Sequence, residues 1–366
     1  MEFAFSEEQE MLRESARTYL GRRLSIDRAV EASKSDLGWD AAAWKEISEL
    51  GWTGLSVAEE SGGAGMGFME EAVLFEELGR APAPLPYFAT VGLALPALTR
   101  SPVALRSILS GQAATLAVAE HGTVASLRYP GEVRTSAQDS GGSLALTGTK
   151  HVVPDVMTAQ FAVVVARIRS SPAVFLVDLT ASGVRPEGLS TVDVFHPLGR
   201  LALEDAPGEI LAGPDAAGDL IARIRMRALA AAALEAVGVA TAALELSVSY
   251  AKERKQFGHR IGAFQAVAHK AADGYVETEL SRSLAYWAAW CVDQDHPHAL
   301  SAALAAKSFA CEAAVACTER AIQIHGGIGF TWEHVLHRLY KRALWLQSFE
   351  GHGRVQRREL SALLLG

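Results

Sequence analysis

The sequence has few cysteines, and this scarcity bears on metal binding and on the redox compartment. Only three occur in 366 residues, at positions 291, 311 and 317, and none has the spacing of metal ligands. Cys311 and Cys317 are six residues apart, which separates them by about 240° around a helix. We interpret all three as buried thiols of a protein from a reducing compartment, and we expect no metal site.

Basic residues are also scarce. Lys and Arg number 34 against 42 Asp and Glu, for a formal net charge of −8. A protein that binds nucleic acid usually carries an excess of positive charge on one surface. We therefore expect no binding to DNA or RNA.

Long hydrophobic runs free of charge are missing as well. The alanine-rich run from Ala228 is the nearest approach to a spanning segment, and Glu235 and Glu245 interrupt it. The first residues include Glu2 and Glu7 where an export signal has basic residues. These features predict a cytoplasmic protein without a membrane segment.

What the chain does contain is ample apolar sequence, 49% of its residues, which is enough to bury the core of a globular protein. Residues 5–109 have helical periodicity: Ser6 and Gln9 open an amphipathic segment, and residues 40–50 and 68–78 repeat the pattern. We expect an N-terminal helical domain at residues 1–112.

The pattern changes after residue 112. Short runs rich in β-branched residues occur at 143–147, 161–165 and 173–177 with no helical period between them, which favours an antiparallel β-barrel or sandwich over residues 113–212. Amphipathic stretches then follow near 218–252, 262–293, 297–324, 331–347 and 353–364. They predict an antiparallel helix bundle over residues 213–366.

Three segments in the last third of the chain resemble the C-terminal signature of the acyl-CoA dehydrogenase family. They are residues 253–258 (Glu-Arg-Lys-Gln-Phe-Gly), 323–330 (Gln-Ile-His-Gly-Gly-Ile-Gly-Phe) and 348–351 (Ser-Phe-Glu-Gly). The resemblance implies an α+β fold with an N-terminal helical domain, a middle antiparallel β-barrel or sandwich and a C-terminal four-helix bundle. It also implies FAD-dependent α,β-dehydrogenation of an acyl-CoA to the trans-2-enoyl-CoA.

Glu350 is the candidate catalytic base. Between the apolar Phe349 and the flexible Gly351, its carboxylate would be partly desolvated and therefore more basic. The other interpretation is that Glu350 lies at the N-terminus of the last helix, where the helix dipole favours a negative charge. Some family members carry the base at the position of Ala228, and alanine cannot serve in that role.

The resemblance also assigns residues to FAD, which the family binds with the help of a neighbouring subunit. A charged cluster after a helix and a glycine-rich turn are, taken singly, more often a solvated face and a helix connection. We interpret His325 and His334 as hydrogen-bonded structural residues. The residues that match family contacts to the cofactor are Arg254, Gln256, Phe257, Gln265, Gln323, Gly326 and Gly327.

The chain departs from the family pattern in the β region. The family's Thr-Glu-Pro segment reads Ala119-Glu120-His121 here, and the Trp and Thr that pack on the flavin become Val152 and Pro154. These departures are similar to those of relatives that degrade steroid side chains. They fit either an unusual bulky acyl group or a subunit that shares its flavin site with a related chain.

The resemblance implies an acyl-CoA substrate, an electron-transfer flavoprotein as electron acceptor, and a homo-oligomer or hetero-oligomer, with a tetramer as the family form. Two other functions stay open. In the first, the chain is a half-site or non-catalytic subunit of a hetero-oligomeric dehydrogenase. In the second, it is a flavin monooxygenase on the same fold. Retention of Glu350 argues against the monooxygenase, which does not need this base.

Overall fold

The computed structural model describes residues 5–24, 26–34, 38–81, 83–124, 126–140 and 143–365. The contacts between Cα atoms divide the chain into two compact units. We name them the helical unit (Met1–Ala29, Gly67–Ala83 and Leu229–Gly366) and the sheet unit (Val30–Met66 and Pro84–Ala228). The division into domains at residues 112 and 212 stays a prediction.

The helices before the first strand agree with the periodicity of the sequence. The predicted helices at 40–50 and 68–78 are confirmed, and Ser6 and Gln9 form a capping box, each side chain accepting a hydrogen bond from the other's backbone N–H. This cap pairs N–H groups that have no partner within the helix. The elements are α1 (Glu7–Arg23), α2 (Ile26–Lys34), α3 (Ala41–Glu49), α4 (Phe68–Arg80), a π-helix (Phe88–Ala94), α5 (Leu95–Leu98) and α6 (Pro102–Leu109).

The strands of the sheet unit are β1 (Ala114–Ala117), β2 (Ser136–Ser140), β3 (Ser143–Pro154), β4 (Phe161–Ile168), β5 (Ser171–Asp178), β6 (Val184–Gly188) and β7 (Leu198–Ala212). They form a β-barrel. β4 pairs with β5, β5 with β7, β7 with β3, β3 with β2, and β2 with β4, so the ring of strands closes. The additional strands β1 and β6 pair with β4 and β7.

The expected strands at 143–147, 161–165 and 173–177 are confirmed, but a purely antiparallel sheet is wrong. β1 and β2 both run parallel to β4. Parallel pairing needs a long crossover, which is usually a helix. Here strand β3 and its connections carry the chain from β2 back to β4, so the absence of a helical period did not exclude parallel strands.

β4 and β5 are paired strands of the barrel that are buried over most of their length. Each has five consecutive buried residues, where a sheet with one solvated face would show alternation. Both faces of these strands are therefore covered. The side chains on one face of each strand belong to an apolar cluster with β3 and β7. Large members of that cluster are Leu146, Val164, Phe175, Leu201 and Leu203.

The C-terminal helices are α7 (Pro214–Glu253), α8 (Gln265–Asp293), α9 (Ala299–His325), α10 (Leu336–Ser348) and α11 (Gly353–Leu365), and a short hairpin, β8 (Lys255–Gln256) and β9 (His259–Arg260), follows α7. The predicted ends are met to within five residues. α9 packs against α8, α10 and α11. Gly79 on α4 and Gly238 on α7 each face a carbonyl of the other helix, so a side chain at either position would force the two helices apart.

Two helical stretches, Pro214–Glu253 and Ala299–Phe330, are long and apolar enough to cross a membrane by length and composition. In their most apolar windows 78% and 61% of the residues are buried inside the protein. Packing within the fold therefore accounts for their apolar composition.

The cysteines are buried, as predicted. Cys311 and Cys317 lie on α9, and their thiols donate to carbonyl oxygens of Ala232 and Ala240 on α7. Burial raises the pKa of each thiol to about 11, so both stay protonated near neutral pH. Among the described residues, no group of three or more His, Cys, Asp or Glu side chains could hold a metal ion.

Candidate active site

The seven residues predicted to contact the cofactor lie at one end of the helical unit. The ends of α7 and α9, the start of α8 and the β8–β9 hairpin meet there, joined by a small apolar cluster of Ala251, Ile261 and Ile324. The structure thus brings together segments that are up to 73 residues apart in the sequence. All seven residues are exposed: Arg254, Gln256, Phe257, Gln265, Gln323, Gly326 and Gly327.

The β8–β9 hairpin presents Phe257 at its tip. Lys255 pairs with Arg260 and Gln256 with His259, so Phe257 and Gly258 form a two-residue turn with φ values of +51° and +80°. Such turns favour Asn-Gly, because both positions are left-handed. A phenylalanine that is strained and 89% exposed suggests that a ligand or another chain covers its ring.

Replacing Phe257 by asparagine should therefore separate stability from binding. Asparagine tolerates the left-handed turn, so we expect about 1 kcal/mol of added stability, together with weaker FAD binding. The thermal midpoint and the FAD dissociation constant measure the two effects. Tyr129→Asn, which removes an exposed ring from the sheet unit, is the control and should leave FAD affinity unchanged; wild-type affinity in Phe257→Asn would contradict the assignment.

The glycine-rich loop begins where α9 ends. Gly326 has a φ of +64°, which favours glycine. A Cβ atom at Gly326 or Gly327 would meet no atom within 4 Å, so open space lies beside this backbone. A ligand can approach the loop closely.

The histidines of this region have structural contacts, as predicted. The Nδ1 of His325 is 2.8 Å from the carbonyl of Ala321, and its ring stacks on Tyr250 with the centroids 4.4 Å apart. The Nδ1 of His334 accepts the backbone N–H of Leu336 at 3.2 Å.

His337, at the start of α10, is buried among cations. It is 8% exposed, and its ring lies against that of Trp332. The Nζ of Lys341 lies 4.6 Å from the centroid of the Trp332 ring. Burial, together with the charges of Arg338 and Lys341, lowers the pKa of His337 to about 4. His337 is therefore neutral in the folded protein at neutral pH.

This pKa makes the helical unit sensitive to acid. Since the folded pKa lies below the ordinary value of 6.5, the stability that His337 contributes is present above pH 6.5 and is lost as the pH falls towards 4, by about 1.4 kcal/mol per pH unit. His337→Asn should show a flatter dependence of thermal midpoint on pH between 7 and 4.5. His352→Asn, at an exposed position, should follow the wild type; identical slopes in all three proteins would exclude this role for His337.

Glu350 lies in a sharp turn after α10. Its φ is +51° and that of Gly351 is +92°, so two left-handed residues reverse the chain between α10 and α11. The glutamate is half-buried. The interpretation of Glu350 as a first-turn residue of the last helix is wrong, because α11 begins at Gly353.

Four residues that support this turn were missed by the sequence analysis. Lys307 and Gln356 donate to backbone carbonyls of the turn. Arg342 forms a buried bidentate pair with Glu235 at 2.7 and 2.8 Å. The sequence carried a signal for the charged ones, because charged residues within alanine-rich, buried helices are usually paired.

An aromatic stack links the ion pair to the turn. The guanidinium of Arg342 lies 4.2 Å from the ring centroid of Trp345, and Trp345 stacks on Phe349 with the centroids 5.6 Å apart and the planes 9° apart. Phe349 directly precedes Glu350. The conformation of the turn is therefore coupled to the packing of α10 against α7.

The structure does not bring Glu350 together with the seven cofactor residues. α10 follows the glycine-rich loop and spans 13 residues, so it places Glu350 about 20 Å beyond the start of the helix.

The sheet unit retains part of the segment that departs from the family pattern. Glu120 accepts hydrogen bonds from the Nζ of Lys150 at 2.6 Å and from the backbone N–H of Thr135 at 3.0 Å. Despite burial, which raises it, the pKa of Glu120 is lowered by Lys150 and these hydrogen bonds. Val152 has a φ of +55° and is exposed, at a bulge of β3, where the family has its Trp.

The residues at the hairpin end of the helical unit fit parts of FAD. Exposed Arg254, Lys255 and Arg260 supply the positive charge that a diphosphate needs, and arginine can donate to two phosphate oxygens at once. The Nε2 of Gln256 donates to the carbonyl of Lys255, which leaves its Oε1 as an acceptor. The open backbone at Gly326 gives a ligand room for close approach.

Comparison with known proteins identifies the family of this chain. The family model for the acyl-CoA dehydrogenase N-terminal domain matches residues 6–123, and that for the C-terminal domain matches residues 224–365. The chain is 32% identical over 359 residues to acyl-CoA dehydrogenase IpdE2 of Mycolicibacterium smegmatis, covering 98% of this chain and 99% of that protein.

Solved structures show the same fold. A variant of the Tcur3481–Tcur3483 steroid acyl-CoA dehydrogenase is 33% identical with a TM-score of 0.86, covering 98% of both chains. A chain of the ChsE4–ChsE5 complex from Mycobacterium tuberculosis is 26% identical with a TM-score of 0.89, covering 100% of this chain and 99% of that one. The chain therefore belongs to the acyl-CoA dehydrogenase family, FAD-dependent oxidoreductases that act on the CH–CH bond of acyl-CoA thioesters.

Proposed function

We propose that Glu350 is the base that removes the α proton of the acyl-CoA. The proton passes to the carboxylate as the β hydrogen leaves with its electron pair, and the product is the trans-2-enoyl thioester. FAD, when bound, supplies the hydride acceptor at its N5 atom. Arg254, Gln256 and Phe257 would hold the diphosphate and adenosine parts of FAD, with Gln265, Gln323 and the loop at Gly326 and Gly327.

The observation that carries this proposal is the left-handed turn at Glu350. Strained backbone at a residue other than glycine persists where the surroundings enforce it, and it concentrates at functional sites. Of the positive-φ residues other than glycine in the described chain, Glu350, Phe257 and Val152 lie in segments that correspond to family contacts. Glu350 is also half-buried, directly after Phe349.

For the substrate, we propose an acyl-CoA whose acyl group is bulky, of the steroid-derived class. A similar solved structure is described as a steroid acyl-CoA dehydrogenase. The replacement of Trp and Thr by Val152 and Pro154 in β3 leaves smaller side chains where the family packs on its flavin. The α-proton chemistry would be unchanged, because it involves only the thioester end.

For the assembly, we propose an oligomer in which a second chain completes the flavin site. We propose that an electron-transfer flavoprotein accepts the electrons and that the protein is cytoplasmic. In the family that the chain resembles, the contacts of Arg254, Gln256 and Phe257 are made to FAD bound by a neighbouring subunit, which supports a shared site. Two relatives are described as parts of complexes: a chain of the ChsE4–ChsE5 complex and a subunit of the caffeyl-CoA reductase–Etf complex of Acetobacterium woodii.

Flavin absorbance tests the proposal. The protein, purified alone and after co-expression with a homologous chain, should show oxidised flavin bands in at least one case, and a bile-acid CoA thioester should bleach them faster than octanoyl-CoA does. A flavin-loaded protein that no acyl-CoA reduces would count against dehydrogenation. A protein that is colourless alone and binds flavin only with a partner chain would favour the second candidate function, a half-site subunit. The altered segment at Ala119-Glu120-His121 also favours that candidate.

A further inference from the structure

Two buried side chains grip the turn that carries Glu350. Lys307 on α9 is 0% exposed, and its Nζ donates to the carbonyl of Gln347 at 2.9 Å and to that of Gly351. Gln356 on α11 is 1% exposed, and its Nε2 donates to the carbonyls of Glu350 at 2.8 Å and Gly351 at 3.1 Å. The backbone is thus fixed at Glu350 itself and on both sides of it.

Lys307 acts as a cap for α10. Gln347 lies in the last turn of that helix, where carbonyls have no partner within the helix and a positive charge is favourable. Burial lowers the pKa of Lys307, and nearby negative groups, Glu350 among them, oppose that change. A fully buried lysine is costly, so its position below this turn suggests a role beyond packing.

The side-chain amide of Gln356 can hold the turn in only one of its two orientations. Both backbone groups within its reach are carbonyls, so its NH₂ group must face them. Without these bonds, Glu350 would be free to leave its φ of +51° for a relaxed conformation. Its carboxylate would then move away from its present place.

We infer that Lys307 and Gln356 are positioning residues that hold Glu350 in its left-handed turn and thereby aim its carboxylate at the substrate. The inference rests on the proposed role of Glu350 as the base. A general base must lie within hydrogen-bond reach of the proton it takes. A displacement of about 1 Å can lower the rate by about 10²-fold.

The test uses matched variants of the flavin-loaded protein. Lys307→Met and Gln356→Leu remove the hydrogen bonds to the turn with little change in side-chain volume. Arg357→Met is the control, because Arg357 also joins α11 to α9, donating to Ser308 at 3.0 Å and Glu312 at 2.7 Å, but does not contact the turn. Glu350→Gln serves as the reference for loss of the base.

Rapid mixing with a bile-acid CoA thioester, which follows flavin bleaching, separates positioning from folding. Lys307→Met should lower the limiting rate by about 10²-fold and Gln356→Leu by about 10-fold, with half-saturating concentrations within about twofold of the wild type. Arg357→Met should keep the wild-type rate. Ethylammonium added to Lys307→Ala should restore part of the lost rate.

Two outcomes distinguish the inference from the function on which it rests. If Lys307→Met and Gln356→Leu keep the wild-type rate while Glu350→Gln loses it, the base is right and the positioning role is wrong. If Glu350→Gln keeps the wild-type rate, the proposed function itself is wrong.

Amide hydrogen exchange gives a readout that depends on neither activity nor the acyl group. Peptides covering residues 346–353 should exchange about 10-fold faster in Lys307→Met and Gln356→Leu than in the wild type or in Arg357→Met. Equal protection in all four proteins would overturn the inference. If Lys307→Met does not fold, Gln356→Leu alone decides, by exchange and by rate.

Discussion

Replacing Glu350 by glutamine should lower the rate of flavin reduction by an acyl-CoA by about 10⁴-fold, the upper end of the range for a general base. Glutamine has nearly the same size and can occupy the same turn, but it cannot accept the α proton. We therefore expect the FAD content and the thermal midpoint to stay near wild type. Anaerobic rapid mixing of the flavin-loaded protein with a bile-acid CoA thioester measures the rate.

Glu333→Gln is the matched control. Glu333 is an exposed glutamate near the start of α10, so its loss removes one negative charge without touching the turn. We expect its rate to equal that of the wild type. An unchanged rate for Glu350→Gln in a hetero-oligomer would mean that the partner chain carries the base and that this chain is the half-site subunit.

Replacing Arg342 by methionine should cause the largest loss of stability, about 3–5 kcal/mol. Arg342 and Glu235 bury all but 5% and 6% of their side chains in a bidentate ion pair. Removing the cation leaves the carboxylate of Glu235 buried without its counter-charge. The urea midpoint and the thermal midpoint of the purified protein would both fall.

The double variant Glu235→Met with Arg342→Met should recover much of that loss, because two apolar side chains leave no buried charge behind. Arg185→Gln is the control, since Arg185 and Glu204 form a salt bridge with side chains 72% and 61% exposed, and such pairs contribute less than about 1 kcal/mol. Equal destabilisation by Arg342→Met and Arg185→Gln would show that the buried pair has no special role.

The helices could be predicted from the sequence because their signals are local. The capping box at Ser6 and the apolar periodicity of α7 to α11 depend on residues within a few positions of each other, and the structure confirms them. The sheet was only partly predictable. Strand positions follow from β-branched runs, whereas the parallel pairing of β1 and β2 with β4 depends on how distant segments meet.

The candidate site was also predictable in part: its residues follow from the sequence, and their arrangement does not. The sequence by itself determined the family, the candidate base Glu350 and the cofactor motifs, because short ordered segments with fixed spacing carry that information. Only the tertiary structure showed that the motif residues share one end of the helical unit and that α10 separates them from Glu350.

The tertiary structure alone also revealed what holds the base. Lys307 and Gln356 lie 43 residues before and 6 residues after Glu350 in the sequence, on two helices that only packing brings to the same turn. Their role depends on burial and on hydrogen bonds to backbone carbonyls, and carbonyls are identical in every residue. A sequence pattern can therefore name the reacting carboxylate, while the fold decides its conformation.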